Sequence, residues 1–330
     1  MDMIPVSQET LTIGQLANTY AASNVFQEYQ DKMAANTLKR YNDDLALFSQ
    51  FLTHVGMTKE NLLVDAAEWQ GITFGLVEAF KRWQLDQGYA IASINAHLST
   101  VKVYAKLATK AGILSSEAYA MIKMVSGYRH KEGRNVDAKR EVTRVGDKKA
   151  EAVSISPQQA RALKEQSNTP QGRRDALLMC LLLDHGLRCG EVAALTVESL
   201  HVSTGLLTFY RQKVDKVQTH RLTRDTLLAA MSYFEVAKPK EKLLMGSRKG
   251  GKLEGSMSER AITDRVRELG ERIGVKGLSA HDCRHDWARS AVKASDIKAL
   301  QQAGGWSSPA MPLRYADDAT IANEGVKLSR

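Results

Sequence analysis

DALLMCLLLDHGLRCGE, residues 175–191, is the stretch on which the reading of the second half of the chain turns. From Asp175 to Leu183 it is apolar on almost every face, the mark of a helix at the centre of a core. The run is far too short to cross a bilayer. Gly186 breaks it, and a new helix follows. Arg188 therefore emerges directly behind a buried helix, where a guanidinium is costly unless it is paired. Glu191, three residues on, shares its helical face and is placed to orient it. Taken alone, a structural Arg–Glu pair and a functional one are equally good readings.

Downstream, Leu206 to Tyr210 and Thr219 to Leu222 are short strands around a polar turn, which makes a hairpin. That turn, from Arg211 to Lys216, carries two lysines, Lys213 and Lys216. Ser256 to Glu259 and Ser279 to Asp282 both match a capping box, so helices are expected to start at each. Ser156-Pro157 opens a further helix, with Pro157 acceptable in its first turn.

Upstream, the chain reads as helices throughout. Thr37 to Leu52 places Leu38, Tyr41, Leu45, Phe48 and Leu52 on one face. Gly71 to Asp86 is a second amphipathic helix, closed by Gly88 as its C-terminal cap. Ser93 to Ala111 is a third, with Ile94, Leu98, Val101, Tyr104 and Leu107 as its stripe. Between the halves, Gly127 to Ala150 is rich in Lys and Arg and poor in large apolar residues, so it reads as an exposed basic linker. The expected organisation is a helical domain over 1–126, a basic linker over 127–153 and a second domain over 154–330. The fold class is mainly α with a small β-hairpin or sheet.

At 330 residues the chain is long enough for two domains. Its formal net charge of +9 favours a polyanion as partner, nucleic acid before an anionic membrane surface. Three widely spaced cysteines, Cys180, Cys189 and Cys283, contain no CxxC pair, which disfavours disulfide scaffolds and cysteine-type zinc sites. Reduced thiols in a cytoplasmic, nucleoid-associated protein are the expectation. The first residues lack the basic start and apolar run of a signal peptide.

The chemistry-bearing residues gather late in the chain. On a helix opened by Ser279, His281 and Arg284 are i and i+3 and point the same way. They lie in the first turns, where free N–H groups and the helix dipole favour an anion. Arginine offers a planar fork for phosphate oxygens, and a histidine beside it exchanges protons near neutral pH. His281, Cys283 and His285 do not make a tetrahedral metal set, and no fourth ligand is in sight. Gly304-Gly305-Trp306 and Leu313-Arg314-Tyr315 follow. A tryptophan or tyrosine in such a place is ordinarily a packing residue.

Order and spacing point beyond packing. Arg188-x-x-Glu191, a lysine in the hairpin turn, His281-x-x-Arg284-His285, Gly-Gly-Trp306 and Tyr315 nine residues later together resemble the tyrosine recombinase/phage integrase family. The resemblance covers the whole second half, including GLRCGEVAAL and HDCRHDWA. The segment TLKRYNDDLALFSQF resembles the family's SAM-like core-binding domain, and the second half its mixed α+β catalytic domain.

The resemblance implies that Tyr315 attacks a DNA phosphodiester to form a 3′-phosphotyrosine bond, with no cofactor and no metal. Arg188 and Arg284 would grip the non-bridging oxygens, and His281 would assist deprotonation of the tyrosine. Trp306 stands where many members have histidine and would position rather than shuttle protons. Glu191 and His285 would support the arginines. The family takes its acid for the leaving 5′-oxygen from the hairpin. Lys213, just after the strand, matches that position better, with Lys216 the alternative. Double-stranded DNA with specific recombination sites is the implied partner. A homotetramer joined through the tail Ala316 to Arg330, exchanging strands through a Holliday junction, is the implied assembly. The short run before Leu11 leads us to expect the simple two-domain layout without an arm-site domain. An inactive DNA-binding protein on this scaffold and a type IB topoisomerase are the competing readings.

Overall fold

The computed structural model describes residues 8–146 and 152–319. The chain divides into two compact units, Met1–Lys148 and Lys149–Arg330. Among the described residues no helix is long and apolar enough to cross a membrane.

The first unit is all helical: α1 (Gln8–Asp31), α2 (Ala35–His54), α3 (Phe74–Asp86), α4 (Ile91–Lys110), α5 (Ser116–Met124) and α6 (His130–Asp137). The expected stripes are its core. Tyr41, Leu45, Phe48 and Leu52 of α2 pack with Ile94, Leu98, Val101, Tyr104 and Leu107 of α4 around Trp69. Leu38, at the edge of its stripe, is half-buried. Helix α3 begins at Phe74 rather than near Gly71, because Thr73 caps it by accepting from the Leu76 N–H. It ends as expected: Gly88 at φ 80° turns the chain back, and the Tyr89 N–H bonds the Gln84 carbonyl at 2.9 Å.

The basic linker reading needs correcting. Within 127–153, residues His130–Asp137 form α6, and the segment is fastened to the first unit by polar bonds. Asn95 donates to the Tyr128 carbonyl at 2.8 Å and accepts its N–H at 2.9 Å. Arg140 donates to the carbonyls of Leu85 and Tyr89 at 3.1 and 3.0 Å. A stretch without large apolar residues can still be ordered when its side chains satisfy backbone carbonyls left over at helix ends.

The second unit contains α7 (Pro157–Lys164), α8 (Pro170–Leu183), α9 (Cys189–Ala194), β1 (Leu200–His201), β2 (Leu206–Arg211) and β3 (Lys216–Arg221). It continues with α10 (Arg224–Ala237), β4 (Gly246–Ser247), β5 (Leu253–Glu254), α11 (Glu259–Arg272), α12 (Ala280–Val292), α13 (Ile297–Gly304) and α14 (Ala310–Ala319). Helix α8 is the central helix its composition implies, with Leu177 to Leu183 all buried. It starts five residues earlier than expected, where Thr169 accepts the Gly172 N–H. At that end Asp175, 0% exposed, takes guanidinium bonds from Arg174 and from Arg265 of α11.

Strands β1, β2 and β3 form an antiparallel sheet in that order. Register runs from Leu206 opposite Arg221 to Arg211 opposite Lys216, so the second strand begins three residues before Thr219. The turn is a 3-10 segment, Gln212–Val214, closed by Asp215 in the left-handed region at φ 47°. One capping box is confirmed and one is moved. Ser279 accepts the Asp282 N–H and Asp282 accepts the Ser279 N–H, opening α12. Helix α11 is instead capped by Ser258, since Met257 is buried and bonds the Leu244 carbonyl in extended form. The tail expected to dock on a neighbour continues α14 to Ala319, and its remainder lies outside the described residues.

Candidate active site

Three separate elements bring four of the candidate residues together. Arg188 stands at the N-terminus of α9, its backbone N–H and its guanidinium both bonded to Glu191, at 2.8 and 2.6 Å. That is the i to i+3 pairing its spacing implies. Arg284 and His281 project from the first turns of α12. Lys213 projects from the hairpin turn. Arg188, Lys213, His281 and Arg284 all line one cavity of about 1020 Å³. Lys216, at the start of β3, does not line it.

Arg284 is 3% exposed. It donates to two backbone carbonyls, those of Gly186 and Gly304, and among the described residues it is in no ion pair with a carboxylate. Burial first, then the like charges of Arg188 and Arg211, pull its pKa down to about 9. It stays protonated at neutral pH and is relieved by any anion that enters. Gly186, at φ 59°, is required here because a Cβ would run into the Trp287 ring.

Trp306 and Tyr315 do not line this cavity. They form a small apolar cluster behind it with Trp287, Ala288 and Leu300. Two sets of contacts bridge cavity and cluster. The Arg284 guanidinium lies 4.8 Å over the Trp306 ring. The His281 and His285 Nε2 atoms are 2.9 Å apart, and the His285 ring meets Tyr315 edge-on at 5.2 Å. Burial, then the neighbouring His281, lowers the His285 pKa. Tyr315 is 3% exposed, with Trp306 5.7 Å from its ring.

One residue escaped the sequence reading, which took Arg211 only as the start of a polar turn. Arg211 is 0% exposed. Its Nη1 bonds both oxygens of Glu191, at 3.0 and 2.8 Å, so Glu191 serves two arginines. No local pattern carries this signal, because Glu191 lies 20 residues away. Two further residues of the cavity wall were not singled out either, Glu259 at the start of α11 and Cys189, whose thiol burial pushes up. Among the described residues, no group of three or more His, Cys, Asp or Glu is placed to hold a metal ion.

A cationic cavity backed by a tyrosine, following an all-helical unit, is the arrangement of a DNA strand-transferase of the tyrosine type. Residues 154–320 match the model of the phage integrase family, and residues 26–112 match its N-terminal SAM-like domain. The chain belongs to the phage integrase family and is a DNA recombinase. It is 23% identical over 306 residues to tyrosine recombinase XerC of Xanthomonas axonopodis pv. citri, covering 88% of each chain. Over 134 residues it is 31% identical to XerC of Pseudomonas entomophila, covering 39% of this chain and 43% of the relative. The fold is that of the Tn1549 transposon integrase in complex with transposon right end DNA (TM-score 0.62, 13% identity, 89% of this chain and 94% of that one). It is also that of a lambda integrase tetramer bound to a Holliday junction (TM-score 0.60, 16% identity, 96% and 83%).

Proposed function

We propose that this chain is a site-specific recombinase that cuts and rejoins double-stranded DNA through Tyr315. The observation that carries the reading is a charge imbalance. Arg188, Arg211, Arg284 and Lys213 stand at the cavity or just behind it, against the carboxylates of Glu191 and Glu259. The surplus of two cations, one of them the buried Arg284, suits a phosphate with charge developing on its oxygens.

The Tyr315 oxygen forms a bond to phosphorus as the bond to the 5′-oxygen breaks, leaving a 3′-phosphotyrosine and a 5′-hydroxyl. One phosphodiester replaces another, so the step needs no nucleotide hydrolysis. His281, held by His285, takes the tyrosine proton, and Lys213 gives one to the departing oxygen. Arg188 and Arg284 hold the non-bridging oxygens. The 5′-hydroxyl of a partner strand then attacks the phosphotyrosine, which rejoins the DNA and returns the proton to Tyr315; in a homotetramer on two sites, as the lambda integrase structure is described on a Holliday junction, two rounds of cleavage and rejoining exchange both strands. Because Tyr315 is buried behind Arg284, attack requires α14 to present the hydroxyl to the cavity when DNA enters.

The test uses a nicked suicide duplex carrying a site that the wild-type chain enriches from a randomised pool. Denaturing electrophoresis is expected to show a protein–DNA adduct that Tyr315→Phe abolishes. Site binding without any adduct would mean an inactive DNA-binding protein. Relaxation of supercoiled DNA lacking the site would mean a topoisomerase.

A further inference from the structure

Arg211 is a buried cation beside the site to which no catalytic step has been given. It is the last residue of β2, and its hydrogen bonds reach three different segments. Its Nε donates to Gln218 of β3, its Nη1 to both oxygens of Glu191 on α9, and its Nη2 to the Ala303 carbonyl near the end of α13, at 2.7 Å. Its guanidinium also lies 4.8 Å over the Phe209 ring. Gly305, at φ 59°, passes so close that a Cβ there would strike the Arg211 side chain.

Full burial of a guanidinium is costly, and an apolar side chain of similar volume would serve packing at least as well. What an apolar residue cannot do is fix three chain segments in register at once. Arg211's own strand and one of those segments lead straight toward the site: Lys213 is two residues beyond Arg211, and Trp306 three beyond Ala303. The turn between Arg211 and Lys216 is held on its other side as well, where the Tyr210 hydroxyl donates to Asp215 at 2.6 Å. Lys213 itself is exposed at the cavity wall and has a long, flexible stem. Where its ammonium can go is therefore set by how firmly the base of the turn is held.

We propose that Arg211 is a positioning residue that acts through Lys213, locking the base of the β2–β3 turn so that the lysine reaches the departing 5′-oxygen. This rests on the reading of Lys213 given above. A lysine at position 211 would supply charge to Glu191, but its compact ammonium cannot also reach Gln218 and Ala303.

The experiment compares two nicked suicide duplexes carrying the selected site, one ordinary and one with sulfur in place of the bridging 5′-oxygen. A thiolate leaves without a proton, so the sulfur substrate does not need the acid. Arg211→Lys is expected to slow adduct formation on the ordinary duplex by about 100-fold, the scale of one proton-transfer group. Site binding should hold, and the sulfur substrate should recover to within a few-fold of wild type, as for a Lys213→Ala control. Gln218→Ala keeps the Arg211–Glu191 pair and should show a smaller loss with the same recovery; it decides the matter if Arg211→Lys does not fold. Equal losses on both substrates, or no loss, would overturn the proposal while leaving the recombinase reading intact. A wild-type chain that forms no adduct on either duplex would overturn that reading, and this inference with it.

Discussion

The guanidinium of Arg284 lies 4.8 Å above the ring of Trp306. The contact joins the wall of the cationic cavity to the apolar cluster that holds Tyr315. A cation over an indole face contributes about 0.5–2 kcal/mol, more as water is excluded. At this position the ring is therefore a support for the buried arginine and a neighbour of the tyrosine together. Trp306→Phe keeps an aromatic face but loses the N–H and part of the ring area, so adduct formation should stay within about tenfold of wild type. Trp306→Ala removes the face and should cost up to about 30-fold, with site binding little changed. Single-turnover cleavage rates of the two variants check this. Equal rates for Phe and Ala would show that the N–H, not the ring, matters.

The two turn lysines are separated by one structural fact: Lys213 lines the cavity and Lys216 does not. Lys216 opens β3 opposite Arg211, on the exposed side of the hairpin. Lys213→Ala should slow cleavage of an ordinary duplex by about 100-fold or more, and Lys216→Ala by no more than a few-fold. The reverse order would transfer the acid role to Lys216.

Much of this was legible in advance because it is local. The stripes of α2 and α4 are periodic, and their residues are buried as the period requires. Arg188 with Glu191 and His281 with Arg284 are i, i+3 pairs, so a helix alone brings them together. What was not legible is what depends on distant partners. Residues 127–140 look like a tether until Asn95 bonds Tyr128 and the carbonyls of Leu85 and Tyr89 take up Arg140. Ser256 matches a capping box until Met257 is drawn into the core, moving the cap to Ser258. Arg211 looks like a turn residue because Glu191 and Ala303, which bury it, are 20 and 92 positions away.

Asp175 tests how far the core of the second unit depends on a buried charge. It is 0% exposed and receives four guanidinium bonds, two from Arg174, itself 1% exposed, and two from Arg265. Asp175→Asn nearly preserves shape but leaves two arginines facing a neutral amide. Removing one partner of a buried pair costs about 3–5 kcal/mol. Urea unfolding should show the transition of the second unit moved to lower denaturant by that amount, with that of the first unit in place. A shift below about 1 kcal/mol would mean that water or rearrangement takes over the carboxylate's role.

His185 gives the second unit a defined response to acid. It is 3% exposed, bonded through Nε2 to Thr226 at 3.1 Å, with the His220 ring 5.7 Å away. Burial brings its pKa from 6.5 down to about 4; burial first, then His185 itself, does the same for His220. Above pH 6.5 both histidines are neutral whether folded or not, and they contribute no pH dependence. Below it the unfolded chain takes up protons that the folded chain refuses, so stability falls as pH drops from about 6.5 to about 4. For His185 alone the full loss is on the order of 3 kcal/mol, at 1.36 kcal/mol per pKa unit. His185→Gln retains a partner for Thr226 and cannot titrate. It should cost some stability at pH 7.5 and then lose less than wild type on acidification, so the two melting curves converge by pH 4.5. Parallel loss in both proteins between pH 6.5 and 4.5 would show that carboxylates alone govern the acid response.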